Sequence, residues 1–242
     1  MILPPIHITP ASISGCVLFL PHYPSSTTVS GGKVSQSNDL SGSGNNFVQA
    51  TGANQPTYQT TPPYGVGNNA SNVELTNSAI YSLSAQTFAV KFKLDVVPSS
   101  GNNYTLFNLR VAAGPVFTEI GTLNVVNFLP YGWLSNYVGS TTYRGANVAL
   151  DTSTHRIIMT YNGSGNTTNA NYQFFLDGAS QTLGSPTGAS AELSGNLSSI
   201  GARNQSGSAL VPINGKVYVI AVYNRVLSAS EITALDHIMQ AM

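Results

Sequence analysis

Apolar and polar positions alternate with a period of two in several short runs along the chain, which predicts strands. Phe88, Val90, Phe92 and Leu94 fall on one side of such a run, with Ala89, Lys91, Lys93 and Asp95 on the other. That is the pattern of a half-buried strand. The run from Lys216 to Tyr223 differs, because it is apolar at most positions on both sides, as in a strand enclosed inside a sandwich. Asn224-Arg225 breaks it. Ser228 with Glu231 three residues on then forms a capping box, and Ile232, Leu235, Ile238 and Met239 recur at helical spacing. A closing helix is expected there.

Further strands read at Ser14–Leu20, ended by Pro21, at Tyr104–Val111, and at about 116–129, 131–138, 146–150 and 155–161. Tyr172–Leu176 runs into Asp177-Gly178, a hairpin signal. Residues 1–13 read as an extended Pro-rich arm, either loose or laid on a neighbour. Residues 23–72 are rich in Ser, Thr, Gly, Asn and Pro and show poor periodicity. Short strands separated by turns, with one helix at the end, predict an all-β sandwich. There is no repeat of 20–50 residues and no linker that would split the chain.

Two stretches carry a resemblance. Near the start, Asn38-Asp-Leu-Ser-Gly-Ser-Gly-Asn-Asn46 turns into a segment ending Gln55-Pro-Thr-Tyr58; at the end, the strand 216–223 meets Tyr-Asn-Arg and the helix opening Leu-Ser-x-x-Glu231. Both resemble the ends of a laminin-G-like, concanavalin A-like jelly-roll domain. Tyr172–Gly178 and Ser199-Ile-Gly-Ala202 are similar to two of its later strands. The Trp that often precedes the Asp of the first signature is replaced here by polar residues. The resemblance implies a concanavalin A-like jelly-roll β-sandwich with one short C-terminal helix, spanning 14–242 behind the arm 1–13.

Charge narrows the partners. Nine Lys plus Arg balance nine Asp plus Glu in 242 residues, and nucleic acid requires a concentrated basic surface. The single Cys16 excludes an internal disulfide and a cysteine-based zinc site. No basic n-region opens the chain, so no signal peptide is expected, and no apolar run is long enough to span a bilayer.

Enzymes of this fold that cleave polysaccharides need two carboxylates about 5–9 Å apart. Here the acids are scattered (Asp39, Glu74, Asp95, Glu119, Asp151, Asp177, Glu192, Glu231, Asp236), without a Glu-x-Asp-x-Glu strand. No nucleophile elbow is present, and His7, His22, His155 and His237 are too dispersed for a zinc motif. A non-catalytic protein without a cofactor is expected. Jelly rolls of this type can hold calcium in rim loops, and Asp39 and Asp177 are the candidate ligands; the other reading makes each an ordinary turn residue.

One aromatic stretch stands out, 129–144. If 131–138 is a strand, Tyr131, Trp133 and Tyr137 share one face, with Leu134 and Val138 on the other. Flat rings stack on sugar C–H faces, and Asn136, Tyr143 and Arg144 supply hydrogen bonds to hydroxyls. Trp133, the single Trp, equally suits a core position.

Two functions follow as expectations. The first is a non-catalytic virion structural protein, a bacteriophage capsid decoration or fibre component at the virion surface, synthesised in host cytoplasm. Its partners would be the major capsid protein, further copies of itself and cell-surface glycans, with no nucleic acid or membrane. The low charge, the Ser/Thr/Asn-rich surface and the lack of an export signal on an extracellular type of fold support it. The second is a lectin-like carbohydrate-binding module using 131–144.

Overall fold

The computed structural model describes residues 8–68, 75–79, 85–97, 103–110, 115–123, 129–136, 141–143, 150–164, 169–183, 187–188, 197–205, 208–210 and 212–242. The first strands are β1 (Cys16–Leu20), β2 (Thr27–Ser30), β3 (Lys33–Ser37), β4 (Phe47–Val48), β5 (Thr57–Gln59), β6 (Gly65–Asn68) and β7 (Leu75–Asn77). There follow β8 (Gln86–Leu94), β9 (Asn103–Arg110), β10 (Pro115–Leu123), β11 (Leu129–Asn136), β12 (Thr141–Tyr143) and β13 (Thr154–Tyr161). The last are β14 (Tyr172–Leu176), β15 (Ala179–Gln181), β16 (Thr187–Gly188), β17 (Ser198–Ile200), β18 (Arg203–Gln205), β19 (Ser208–Leu210) and β20 (Gly215–Tyr223), before the helix α1 (Ala229–Ala241).

Antiparallel pairing sorts most of these strands into two layers. The first runs β15–β14–β13–β8–β20–β1. The second runs β2–β3–β4–β7–β17–β9–β10–β11–β12–β16. β5 and β6 carry the hydrogen-bond ladder from β3 of the second layer to β20 of the first. The architecture is the expected concanavalin A-like jelly-roll sandwich.

The alternation of β8 sets the core. Phe88, Val90, Phe92 and Leu94 are fully buried and meet Leu18, Ile157, Phe174 and Ile220 of the same layer and Phe47, Leu75, Phe107, Leu109 and Ile200 of the other. Each such side chain is worth roughly 1.5–3 kcal/mol of burial.

The doubly apolar character of β20 also has its explanation. One face turns to the core through Val217, Ile220 and Val222. The other carries Val219, Ala221 and Tyr223 and is covered by Ile232, Leu235 and Met239 of α1, not by a second sheet. Lys91, on this same outward face of β8, is buried and its Nζ lies 3.4 Å from Gln240 O. A cation is favourable at the end of a helix, although burial first and the Arg156 charge second push its pKa down.

The capping box forms as expected: Glu231 N donates to Ser228 Oγ and Ser228 N to Glu231 Oε2. Arg225 Nη1 donates to the same carboxylate at 2.9 Å and Arg225 Nε to Ser14 O, so the helix entry is tied to the chain before β1.

Residues 8–13 correct the picture of an extended arm. Pro10–Ser12 form a 3-10 turn against the molecule's own surface, where Pro10 is buried and its carbonyl accepts from Tyr223 Oη at 2.9 Å. Residues 1–7 lie outside the described residues. In the middle of the chain, the strand expected at about 116–129 is β10, which ends at Leu123, and the one expected at 131–138 is β11, which begins at Leu129 and ends at Asn136. Position 150 is not in a strand, and 146–149 are outside the described residues. The described residues of the aperiodic stretch 23–72 form five short strands, β2 to β6, each too brief for alternation to show.

Candidate functional site

α1 covers the outer face of the first layer, so the broad outer face of the second layer is the natural place to look for a site. Register defines that face from residues whose burial is known. Phe107 and Leu109 of β9 point into the core, as does Ile200, which pairs with Phe107. Residues directly paired across a sheet share a face. Ile120, Gly132 and Tyr143 therefore continue the inner row of Phe107, and Thr118, Leu134 and Thr141 that of Leu109.

The intervening row is the outer one. It runs Gln36–Val48–Thr76–Ser199–Asn108–Glu119–Trp133–Thr142–Thr187 across the whole layer. At one end it is open, with Val48 exposed at 45 %. Ser199 and Asn108 in the middle are buried, and Ser199 Oγ donates to Ala202 O at 2.6 Å. Because that hydroxyl spends its proton there, its 3.2 Å contact to Asn108 is best made by the Asn108 amide as donor. Asn108 Nδ2, as placed, has no hydrogen-bond partner.

On this outer face the row of Arg110, Phe117 and Ser135 lies to one side of Trp133, and Gly121 with Tyr131 to the other. The sequence candidates are thereby divided. Tyr131 and Trp133 share the outer face, whereas Tyr143, paired with Gly132, falls on the inner one. Asn136, three positions on from Trp133, alternates to the inner side as well. Tyr137 and Arg144 lie outside the described residues. Asn108, Arg110, Phe117 and Glu119 were missed as candidates. They belong to other strands, and only cross-strand pairing reveals that they neighbour Trp133.

The two candidate calcium ligands sit in different settings. Asp39 is buried, and its carboxylate accepts from Phe19 N, Ser41 N, Ser41 Oγ and Asn45 N at 2.9–3.0 Å. It caps the free edge of β1, an edge that must be blocked against further pairing. Asp177 (φ 51°) occupies the β14–β15 turn. Its Oδ1 accepts from Arg156 N and its Oδ2 faces His155 Nδ1, both at 2.8 Å.

His155 also contacts Asp151 Oδ1 through Nε2 at 3.2 Å, so the ring lies between two carboxylates. The Asp177 hydrogen bond raises its pKa more than burial lowers it. Arg156 then reaches Asp236 of α1, Nε to Oδ1 at 2.8 Å, so this network clamps the helix to the sheet. Among the described residues no group of three or more His, Cys, Asp or Glu is placed to hold a metal together.

A separate groove of about 500 Å³ lies between the chain start and the helix end, lined by Thr9, Tyr23, Pro62, Tyr64, His237 and Ile238. Tyr23 meets Tyr64 edge-on, and Tyr64 stacks on Tyr58, each pair at 6.4 Å between centroids. Nothing in the sequence periodicity marks this groove, because its walls come from both ends of the chain.

The laminin-G family model of the concanavalin A-like lectin/glucanases superfamily matches residues 67–233. No curated protein matches the sequence. Among solved structures, Trypanosoma rangeli sialidase in complex with sialic acid is 17 % identical with a TM-score of 0.56, covering 95 % of this chain and 33 % of that one. The binding domain of botulinum neurotoxin DC in complex with SialylT is 13 % identical with a TM-score of 0.57, covering 93 % and 51 %. The same domain with rat synaptotagmin II gives 14 % identity and a TM-score of 0.52, covering 93 % and 52 %. This chain thus spans about a third of the sialidase and half of the toxin domain, and at these identities the likeness is one of fold.

Proposed function

Since this chain belongs to the concanavalin A-like lectin/glucanases superfamily, we propose that it is a non-catalytic carbohydrate-binding domain whose binding face is the outer face of the second layer. The observation that carries this reading is the register. Trp133 stands in the row of Asn108 and Glu119, on the side of the sheet away from the core-facing Phe107 and Leu109. Tyr131 shares that side. Aromatic positions beside the Glu119, Ser135 and Thr142 positions offer what a sugar needs, apolar faces for its C–H groups and polar partners for its hydroxyls. The solved relatives named above with sialic acid and with SialylT support the same reading.

Of the acids whose side chains are described, Asp39, Asp95, Asp151, Asp177, Glu231 and Asp236 are each committed to a cation or to backbone amides, which favours the non-catalytic reading for these six. A glycosidase pair needs one of its two acids free to protonate a leaving group. The virion reading rests on the sequence features given for it above, and the relatives' names lend it nothing. It remains compatible with a glycan-binding domain carried on a particle. Screening the full chain against an array of glycans beside Trp133→Ala tests the proposal. Binding that the substitution removes is expected, and an array with no bound glycan would overturn it.

A further inference from the structure

We infer that Asn162 is a site of spontaneous deamidation, an intramolecular reaction that the fold permits there and blocks at Asn214. The chain contains two Asn-Gly pairs, Asn162-Gly163 and Asn214-Gly215. Glycine at the following position leaves the attacking backbone nitrogen unhindered, because it has no Cβ. The structure separates the two pairs.

Asn162, Gly163 and Ser164 are exposed in the loop that follows β13. Asn162 Oδ1 accepts from Ser164 N at 2.9 Å, an Asx turn that curls the side chain over the Gly163 peptide. That hydrogen bond also fixes the amide orientation, since only the oxygen can accept from a backbone N–H. Nδ2 then donates to Asn171 Oδ1 at 3.3 Å. The reaction balances with water alone. Gly163 N gives its proton to solvent base and bonds to Asn162 Cγ. Charge develops on Oδ1, where the Ser164 N–H is already aimed. The Cγ–Nδ2 bond breaks, and Nδ2 leaves with a proton from water as ammonia. Water then opens the cyclic imide at either carbonyl, giving aspartate or isoaspartate. Either product puts a carboxylate in place of the donor to Asn171 Oδ1 and adds one negative charge to a chain of zero formal net charge. Isoaspartate also inserts a methylene into the backbone of the β13–β14 connection, which the Tyr161–Tyr172 pair closes.

At Asn214 the same chemistry is blocked. Gly215 is buried and is paired with Leu94 on one side and Asn68 on the other. Asn214 O accepts from Asp95 N at 2.9 Å. Turning the Gly215 nitrogen towards the Asn214 side chain would break this pairing, and opening core strands is costly.

The test incubates the full chain at mildly alkaline pH, folded and in concentrated urea. Anion exchange follows the acidic product, and peptide mass mapping locates it. Folded protein should convert at Asn162 at least about tenfold faster than at Asn214, giving two products of equal mass. In urea the two sites should convert at similar rates, because the pairing that protects Asn214 is gone. Gly163→Ala, shown to fold by circular dichroism, should slow conversion at Asn162. Conversion at Asn214 as fast as at Asn162 in folded protein, no acidic product from folded protein, or an unchanged rate in Gly163→Ala overturns the inference.

Discussion

Acidification should destabilise this protein largely through one side chain. His22 is fully buried, and its left-handed backbone (φ 51°) places it beneath the chain turn that follows β1. Its Nδ1 meets Ser37 Oγ at 2.9 Å, whereas Nε2 has no protein partner. Burial without a carboxylate neighbour lowers its pKa from 6.5 to about 3. The folded state thus resists a proton that the unfolded chain accepts. A group with a depressed folded pKa contributes stability that is fully present above its unfolded pKa and is lost as pH falls. For His22 the loss begins near pH 6.5 and continues to about pH 3.

Over the two units from 6.5 to pH 4.5 the slope of about 1.4 kcal/mol per unit gives about 2.7 kcal/mol. The assay is urea unfolding at pH 7.5 and pH 4.5 for wild type and His22→Asn. Asn is chosen because it tolerates a positive φ and does not titrate. The variant starts less stable at pH 7.5, but its decline to pH 4.5 should be about 2.7 kcal/mol smaller than that of wild type. Contributions from Asp177, whose pKa is lowered, and from His155, whose pKa is raised, appear in both proteins and cancel in the difference. Equal pH dependence in the two proteins would refute the reasoning.

Two further predictions concern how the helix is held. Ser228→Ala removes the acceptor for Glu231 N and should cost about 1 kcal/mol, read by differential scanning calorimetry as a fall in Tm of about 2–4 °C. Gly178→Ala should be worse. Its φ of 81° is strained for any L side chain, and an added Cβ would stand 2.9 Å from Asp236 Oδ2, the partner of Arg156. A loss above about 1 kcal/mol is expected in urea unfolding.

The parts of the fold that were legible in the sequence are those set by local periodicity. β8 announced itself through Phe88 to Leu94, and the helix through Ser228 and Glu231, because capping and alternation act within a few residues. The hairpin at Asp177-Gly178 was legible for the same reason. What covers the second face of β20 was not, since an apolar face does not say whether a helix or a sheet packs on it. The candidate site was half legible. The spacing of Tyr131 and Trp133 put them on one face, but whether that face is inner or outer depends on pairing with Glu119 and, through it, Asn108. Tyr143 was grouped with them by nearness in sequence and is separated by its pairing with Gly132. His22, followed by Tyr23 and Pro24, reads as a loop residue, and its burial arises from the distant Ser37 and from Tyr58, whose hydroxyl donates to its carbonyl.

The central claim is that the outer face of the second layer binds glycan through Trp133. The most direct measurement is calorimetric titration of wild type, Trp133→Ala and Tyr64→Ala with the best glycan from an array. Tyr64 serves as the control because it lines the separate groove near the helix end. The account predicts a loss of at least about tenfold for Trp133→Ala and wild-type affinity for Tyr64→Ala. Unchanged affinity in Trp133→Ala with a loss in Tyr64→Ala would contradict it and move the site to the groove.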